Sequence, residues 1–351
     1  MIFPAIYPLV LMFILIPIGI LGKEIRLVSL FIIFLGLFLA LAFQDGVGTD
    51  YYSYIALYDG VIEFDISNGI GFKYLLDIMN MAGLNHDYLF IVISLIQVTM
   101  LIKIFNITQK IYSRNEMIFF ISLTIIMIYI SMFNILRASV GSLFFAYALL
   151  KIIIDNNRKK FLLYNFLAIL FHPTFILFLI IPFILKYFDR KKPFLFFFMM
   201  VISFILLKLN FVQNIALLAY ELLPDWVPYK FYLVSVDMKN YTNDGIGIAT
   251  LIRLLILMLS IYFYSRETDI TKIKIYNFGY LVACMWFLFS ETPIFFRIVN
   301  ALYIFQSFLF FLVIINTLKK RFAYCGLVIL LFLISEFYIS LYRTYLFNGL
   351  I

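Results

Sequence analysis

Long apolar runs that almost no charge interrupts dominate the chain. A run of about 17–25 apolar residues is enough to cross a bilayer as a helix. Runs of this kind read as spans near 5–22, 27–43, 88–106, 117–133, 138–154, 194–210, 247–265, 276–290, 298–316 and 322–342. In hydrocarbon, unpaired backbone polar groups cost too much for anything but helices or closed barrels. A barrel would show short strands of alternating polarity, whereas these runs are continuous. The predicted fold is an all-α polytopic membrane protein. Composition agrees, with 65% apolar and 13% charged residues and a mean hydropathy of +1.06, against about 45–50% and about 25% in soluble domains. A soluble enzyme and a disordered chain are excluded. The net charge of +8 does not indicate nucleic acid, because the positive charges are dispersed between apolar runs.

One further apolar stretch, 162–187, is too long for one plain span and too short for two. His172-Pro173 interrupts it near its middle, and proline cannot continue a helix without a break. It reads as a hairpin of two short helices with His172 at the tip, lining a protein-enclosed cavity, where broken helices are tolerated. Counting both limbs gives about 12 membrane helices. Basic clusters at 23–26, 103–114, 151–160, 186–192, 266–274 and 319–321 fall in alternate loops if the hairpin enters and leaves on one side. By the positive-inside rule these face the cytoplasm, which puts both termini and the hairpin tip outside.

Two outer loops are long, about 44–87 and 211–246. In the first, Leu75, Ile78, Met79 and Ala82 share one helical face, with Lys73, Asp77 and Asn80 on another, a pattern suited to a helix lying in the membrane interface. No repeat and no separate soluble domain is evident, so 1–351 reads as one integral membrane domain. The first span lacks the basic start and small-residue site of a cleavable signal. Cys284 and Cys325 lie inside apolar runs without metal spacing, so neither a disulfide nor a zinc site is expected. Asn240-Tyr241-Thr242 matches a glycosylation sequon only by chance.

The charged residues at the outer ends of spans are the candidates for chemistry. Arg137, Arg253, Arg297 and Arg343 all stand there. Arginine near hydrocarbon is costly and therefore a functional candidate, and guanidinium groups bind phosphate oxygens in bidentate fashion. Together they suit a pyrophosphate, although each also fits snorkelling or an ion pair. His172 has the pKa range for acid–base work near neutral pH, while His86 reads as a solvated loop residue. Asp50, in Gly46-Val47-Gly48-Thr49-Asp50-Tyr51-Tyr52, fits a sugar contact, an arginine partner or a base, and equally a helix cap. Tyr51, Tyr52 and Tyr54 offer faces for stacking on sugars or for an interfacial belt. No acid pair has close metal spacing and no nucleotide motif appears, so neither a metal nor a cofactor is expected.

Several of these pieces resemble the EpsG/Wzy group of bacterial polysaccharide polymerases. They are Val47-Gly48-Thr49-Asp50-Tyr51 with Tyr54, Gly71-Phe72 and Gly83, Leu136-Arg137-Ala138, Phe171-His172, and Phe296-Arg297-Ile298. The chain departs at Gly69, where the group often has an acid, and at Ala138, where it commonly has Gln. The resemblance implies a GT-C-like glycosyltransferase of the bacterial inner membrane. Its donor and acceptor would be undecaprenyl-pyrophosphate-linked oligosaccharides, joined by metal-independent, inverting transfer on the outer face. Polymer type (O-antigen, capsule or exopolysaccharide) stays open, and a membrane chain-length regulator is a candidate partner. In that chemistry Arg137, Arg253, Arg297 and Arg343 would hold pyrophosphate, His172 or Asp50 would take the acceptor proton, and Tyr51 and Tyr54 would contact sugar. The competing readings are a lipid-linked oligosaccharide flippase and a membrane O-acyltransferase. The first usually shows internal repeats, which are missing, and the second would want its histidine at the inner face.

Overall fold

The computed structural model describes residues 7, 23–44, 46, 48, 50–63, 69–224, 247–290, 299, 302–318 and 323–347. Among them every regular element is helical. They are α1 (Lys23–Ala42), α2 (Tyr51–Tyr58), α3 (Ile70–Met81), α4 (Asp87–Thr108), α5 (Arg114–Asn134), α6 (Leu136–Asp155) and α7 (Arg158–Phe171), then an irregular helical run over Pro173–Phe188. There follow α8 (Pro193–Lys208), α9 (Phe211–Leu222), α10 (Ile248–Tyr264), α11 (Ile270–Phe289), α12 (Tyr303–Leu318) and α13 (Ala323–Phe347). By length and composition α4, α5 and α6 are each able to cross a membrane outright. The α8–α9 pair, bent by 58°, forms a fourth candidate. Several other apolar helices are shorter, and the span expected at 5–22 lies outside the described residues apart from Tyr7.

Two compact units form, Met1–Leu185 with Leu331–Ile351, and Lys186–Leu330. In the first, α6 is buried on nearly every side. Small residues let its neighbours come close. A Cβ on Gly141 would lie 2.7 Å from the Phe175 ring and 3.2 Å from Ala168 O. Gln97 of α4 ties the bundle together, donating to Met132 O at 3.2 Å and Ser139 Oγ at 2.7 Å. In the second unit α11 packs on α8 and α12, and α10 packs on α12. There Asn277 donates to Phe188 O (2.7 Å) and Arg190 O (3.0 Å), Lys192 N–H donates to Tyr264 Oη (2.9 Å), and Lys274 pairs with Asp189 (3.0 Å). This network fixes the basic segment 188–192 at the Tyr264 end of α10, away from Arg253.

The chain breaks at His172-Pro173 as the sequence predicts. His172 caps α7 in an extended conformation (φ −149°, ψ 109°), the region a residue before proline must adopt. Of the two short helices expected over 162–187, the first is α-helical and the second is a tighter, irregular run, mostly 3-10. The amphipathic helix expected in the first outer loop also forms, as α3, and a stripe that the apolar spacing did not single out packs on protein. Phe72, Leu76 and Met79 are buried, Leu75 is half-buried, and Ile78 and Ala82 are exposed. The protein-facing stripe is chosen by aromatic packing, and Ile70, Tyr74, Ile78 and Met81 are left open on the other side.

Candidate functional site

Four separate sequence pieces meet around the first turns of α2, α3 and α6. α5 and α6 are divided at Ile135 (φ −122°, ψ 60°), which starts a new helix one residue before Leu136-Arg137. Arg137 therefore sits in a first helical turn, where the helix dipole favours an anion. Its guanidinium lies beside two rings, 6.0 Å from the centre of Tyr54 and 5.7 Å from that of Phe72, within cation–π distance of both. Phe72 meets Tyr54 edge-on, centroids 5.8 Å apart.

Tyr54 reports what else is near. Burial pushes its phenol above the ordinary tyrosine pKa, while the Arg137 guanidinium pulls it down and the Asp50 carboxylate pushes it up. Asp50 and Arg137 thus both act on one phenol, and Asp50 makes no side-chain cap hydrogen bond to α2. The alternative of a simple helix cap is not what its side chain does. Gly48 holds this segment against the end of α5. Its φ is +104°, and a Cβ there would lie 3.1 Å from Asn134 Oδ1 and 3.2 Å from Phe133 O.

The third and fourth pieces touch backbone to backbone. Gly69 (φ +95°) has room for no side chain, since a Cβ would lie 2.4 Å from Phe171 O, and one on Gly71 would lie 2.8 Å from Leu170 Cβ. The segment before Phe72 is thereby pressed onto the residues just before His172. The His172 Nδ1 stands 2.7 Å from Thr174 Oγ1, and its ring meets Phe175 edge-on at 6.1 Å. The hydroxyl and the phenyl ring hold the imidazole in one orientation. The chemistry available here is that of a fixed imidazole, a carboxylate, and a flat cation at a helix N-terminus.

The tyrosines differ from the sugar-stacking expectation. Tyr51 is 7% and Tyr54 4% exposed. Tyr51 stacks on Phe90 at 4.8 Å, and Tyr54 packs against Phe72 and Arg137. The open ring of this helix is Tyr52, 63% exposed. His86 lies 3.5 Å from Asp59 and 3.6 Å from Asp87 among partly exposed side chains, as befits a loop residue.

The second unit holds its own arginine. Arg253, in the second turn of α10, is buried. Its guanidinium lies 4.3 Å from the Trp286 ring centre, 5.3 Å from Tyr303 and 6.0 Å from Phe310. Between Tyr303 and Phe310 on the same stripe of α12 comes Gln306, fully buried, with neither amide atom hydrogen-bonded. Residues spaced i, i+3 and i+7 share a helix face, so this amide belongs to the face that meets Arg253. A reading by charge does not single out Gln306 or Trp286, while Phe72 enters only as part of the Gly71-Phe72 pair. An amide inside an apolar run was the available signal for the first. Arg297 lies outside the described residues, and Arg343 is in α13 with its side chain outside them. Among the described residues no cluster of three or more His, Cys, Asp or Glu side chains suited to a metal forms, and both cysteines are free thiols.

No curated protein and no solved structure matches the chain significantly. A family model does, described as the EpsG family, and its match over residues 27–350 takes in every motif gathered around Arg137 as well as Arg253 and Arg297. The chain belongs to the EpsG family.

Proposed function

We propose that this protein is a membrane glycosyltransferase that polymerises undecaprenyl-pyrophosphate-linked oligosaccharide units on the outer face of the bacterial inner membrane. Membership of the EpsG family supports a polysaccharide polymerase in general. The observation that carries the finer reading is Arg137, in a first helical turn with its guanidinium beside the Tyr54 and Phe72 rings. The acceptor hydroxyl attacks the anomeric carbon of the donor. The bond from that carbon to the pyrophosphate oxygen breaks, and the lipid pyrophosphate leaves with the electron pair. One attack from the opposite face inverts the anomeric centre.

The developing charge on the leaving group needs fixed cations, and Arg137 supplies one. Arg253, Arg297 and Arg343 are assigned the same class of contact. Donor and acceptor each carry a pyrophosphate, so the reaction has use for more than one such arginine. The acceptor proton goes to His172. In that role Nδ1–H donates to Thr174 Oγ1 and Nε2 takes the proton. Asp50 positions Arg137 or the acceptor through the shared surroundings of Tyr54. With Tyr51 and Tyr54 enclosed, Tyr52 is the aromatic face of the motif offered to sugar. The Gln306 amide, with a donor and an acceptor unspent, suits a ligand hydroxyl beside Arg253.

The test is incubation of the purified protein with its lipid-linked repeat unit, with the glycans resolved on a gel. A ladder is expected, and it should be lost in Arg137→Ala and Arg297→Ala proteins of unchanged melting temperature. Transbilayer movement of the lipid without glycan lengthening would replace this reading with the flippase. A ladder made at the normal rate by His172→Ala would remove the base assignment.

A further inference from the structure

At the end of the first unit away from Arg137, three helices bring two lysine ammonium groups onto one pair of tyrosine rings. Lys103 of α4 donates to Tyr164 Oη of α7 at 3.1 Å. Its Nζ is 5.1 Å from the Tyr164 ring centre and 6.0 Å from that of Tyr147 on α6. Lys151 Nζ, one turn beyond Tyr147, is 5.5 Å from the same Tyr147 ring. The two rings meet edge to face at 4.6 Å. A single carboxylate serves the cluster. Asp155 is shared between Lys151 (2.7 Å) and Lys110 (2.6 Å), and no carboxylate lies within ion-pair distance of Lys103 among the described residues.

Lys103 lies more than a turn inside the end of a helix able to span the bilayer. A lysine so placed is costly unless something compensates it, and by default marks a functional position. Its partners on the protein are a neutral phenol and two ring faces, so positive charge is in excess. Lys160 adds to it from the first turn of α7, one turn before Tyr164 on the same face. On either side of Tyr164, Leu162, Leu163 and Phe166 are exposed, an apolar surface of the kind that meets acyl chains.

We propose that Lys103, Lys151, Tyr147 and Tyr164 form a binding site for the phosphate of an anionic phospholipid head group. Basic pockets between transmembrane helices are suited to such head groups. The ammonium groups take the phosphate charge, and the Tyr164 hydroxyl, already aligned by Lys103, donates to a phosphate oxygen. The exposed leucines and Phe166 favour a lipid over a free anion, because they extend the site along the acyl chains. The site is independent of the polymerase reading.

The purified full-length protein, in a non-ionic detergent, would be titrated with phosphatidylglycerol, phosphatidylcholine or inorganic phosphate while bound lipid is counted by native mass spectrometry. Wild-type protein should retain phosphatidylglycerol over phosphatidylcholine, and inorganic phosphate should not displace it. Lys103→Gln should weaken phosphatidylglycerol about fivefold, the effect of one basic group near an anionic lipid, and Lys103→Arg should restore it. Lys151→Gln provides a second variant should Lys103→Gln fail to fold. Equal retention of both lipids by the wild type, or undiminished binding in folded Lys103→Gln and Lys151→Gln proteins, would overturn the proposal. Displacement by millimolar phosphate would overturn the lipid assignment in favour of a free-anion site.

Discussion

Replacing Gly69 by alanine tests whether the approach of α3 to the end of α7 holds the site together. Two costs arise there. Gly69 has φ +95°, a region where an L side chain is strained by about 1–3 kcal/mol. The new Cβ would also lie 2.4 Å from Phe171 O, 2.8 Å from Phe171 C and 2.9 Å from Leu170 O. These are backbone atoms that cannot swing aside, and forcing such a contact costs a further about 1–3 kcal/mol. Gly83 is the control, because its φ is +68° and an added Cβ would meet nothing within 4 Å. Gly83→Ala carries backbone strain without a contact, so an excess loss at Gly69 reports its contact together with its more demanding backbone (φ 95°, ψ 114°).

Relief of the clash in Gly69→Ala requires Leu170–Phe171 to shift, and we expect His172 to shift with them. A displacement of about 1 Å at a reacting group costs about 100-fold in rate. The assay is apparent melting temperature in detergent together with the rate of ladder formation from the lipid-linked unit. Gly69→Ala should melt clearly below Gly83→Ala and polymerise about 100-fold more slowly. If the two variants melt alike and both polymerise normally, the backbone contact between Gly69 and Phe171 is not what positions His172.

Arg137→Lys keeps the charge but loses the planar, bidentate guanidinium beside Tyr54 and Phe72, which lysine does not replace. We expect about tenfold less polymer with little change in melting temperature, and an undiminished ladder would contradict the bidentate role. Asn165, 0% exposed with neither amide atom hydrogen-bonded, carries a penalty of about 1–3 kcal/mol. Asn165→Leu keeps the branching of the side chain and should raise the melting temperature, whereas a fall would mean that the amide is satisfied by water. Polymerisation by a metal-independent mechanism should survive EDTA at millimolar concentration, and loss of the ladder restored by a divalent cation would refute that part of the proposal.

How much could be read beforehand differs from element to element. The break at His172-Pro173 was legible because it is covalent, since the ring of Pro173 removes a donor and forces His172 into extended backbone. Arg137 and Arg253 were legible because a charge in an apolar run needs a reason. The burial of Tyr51 and Tyr54 was not, since a tyrosine near an interface reads equally well as belt, ligand platform or core. Gln306 was missed because its meaning depends on Arg253, far away in sequence, facing the stripe that holds Tyr303 and Phe310.

The face of α3 shows where the boundary falls. In a soluble protein, apolar periodicity points to the core, because the alternative is water. Beside a membrane, both the protein interior and the lipid accept apolar side chains, so periodicity no longer distinguishes Ile78 from Leu76. The sequence by itself determined that the chain is helical and built for a membrane, and that it breaks at His172-Pro173, since the cost of bare backbone in hydrocarbon and the geometry of proline are local matters. The bend between α8 and α9, in a stretch read as loop from Phe211 on, was not legible. Only tertiary structure decided which apolar stripe meets protein. It also decided that Gly69 abuts Phe171 and that Asp50 and Arg137 share the surroundings of Tyr54. Those outcomes depend on shape complementarity between segments distant in the chain, which no local pattern encodes.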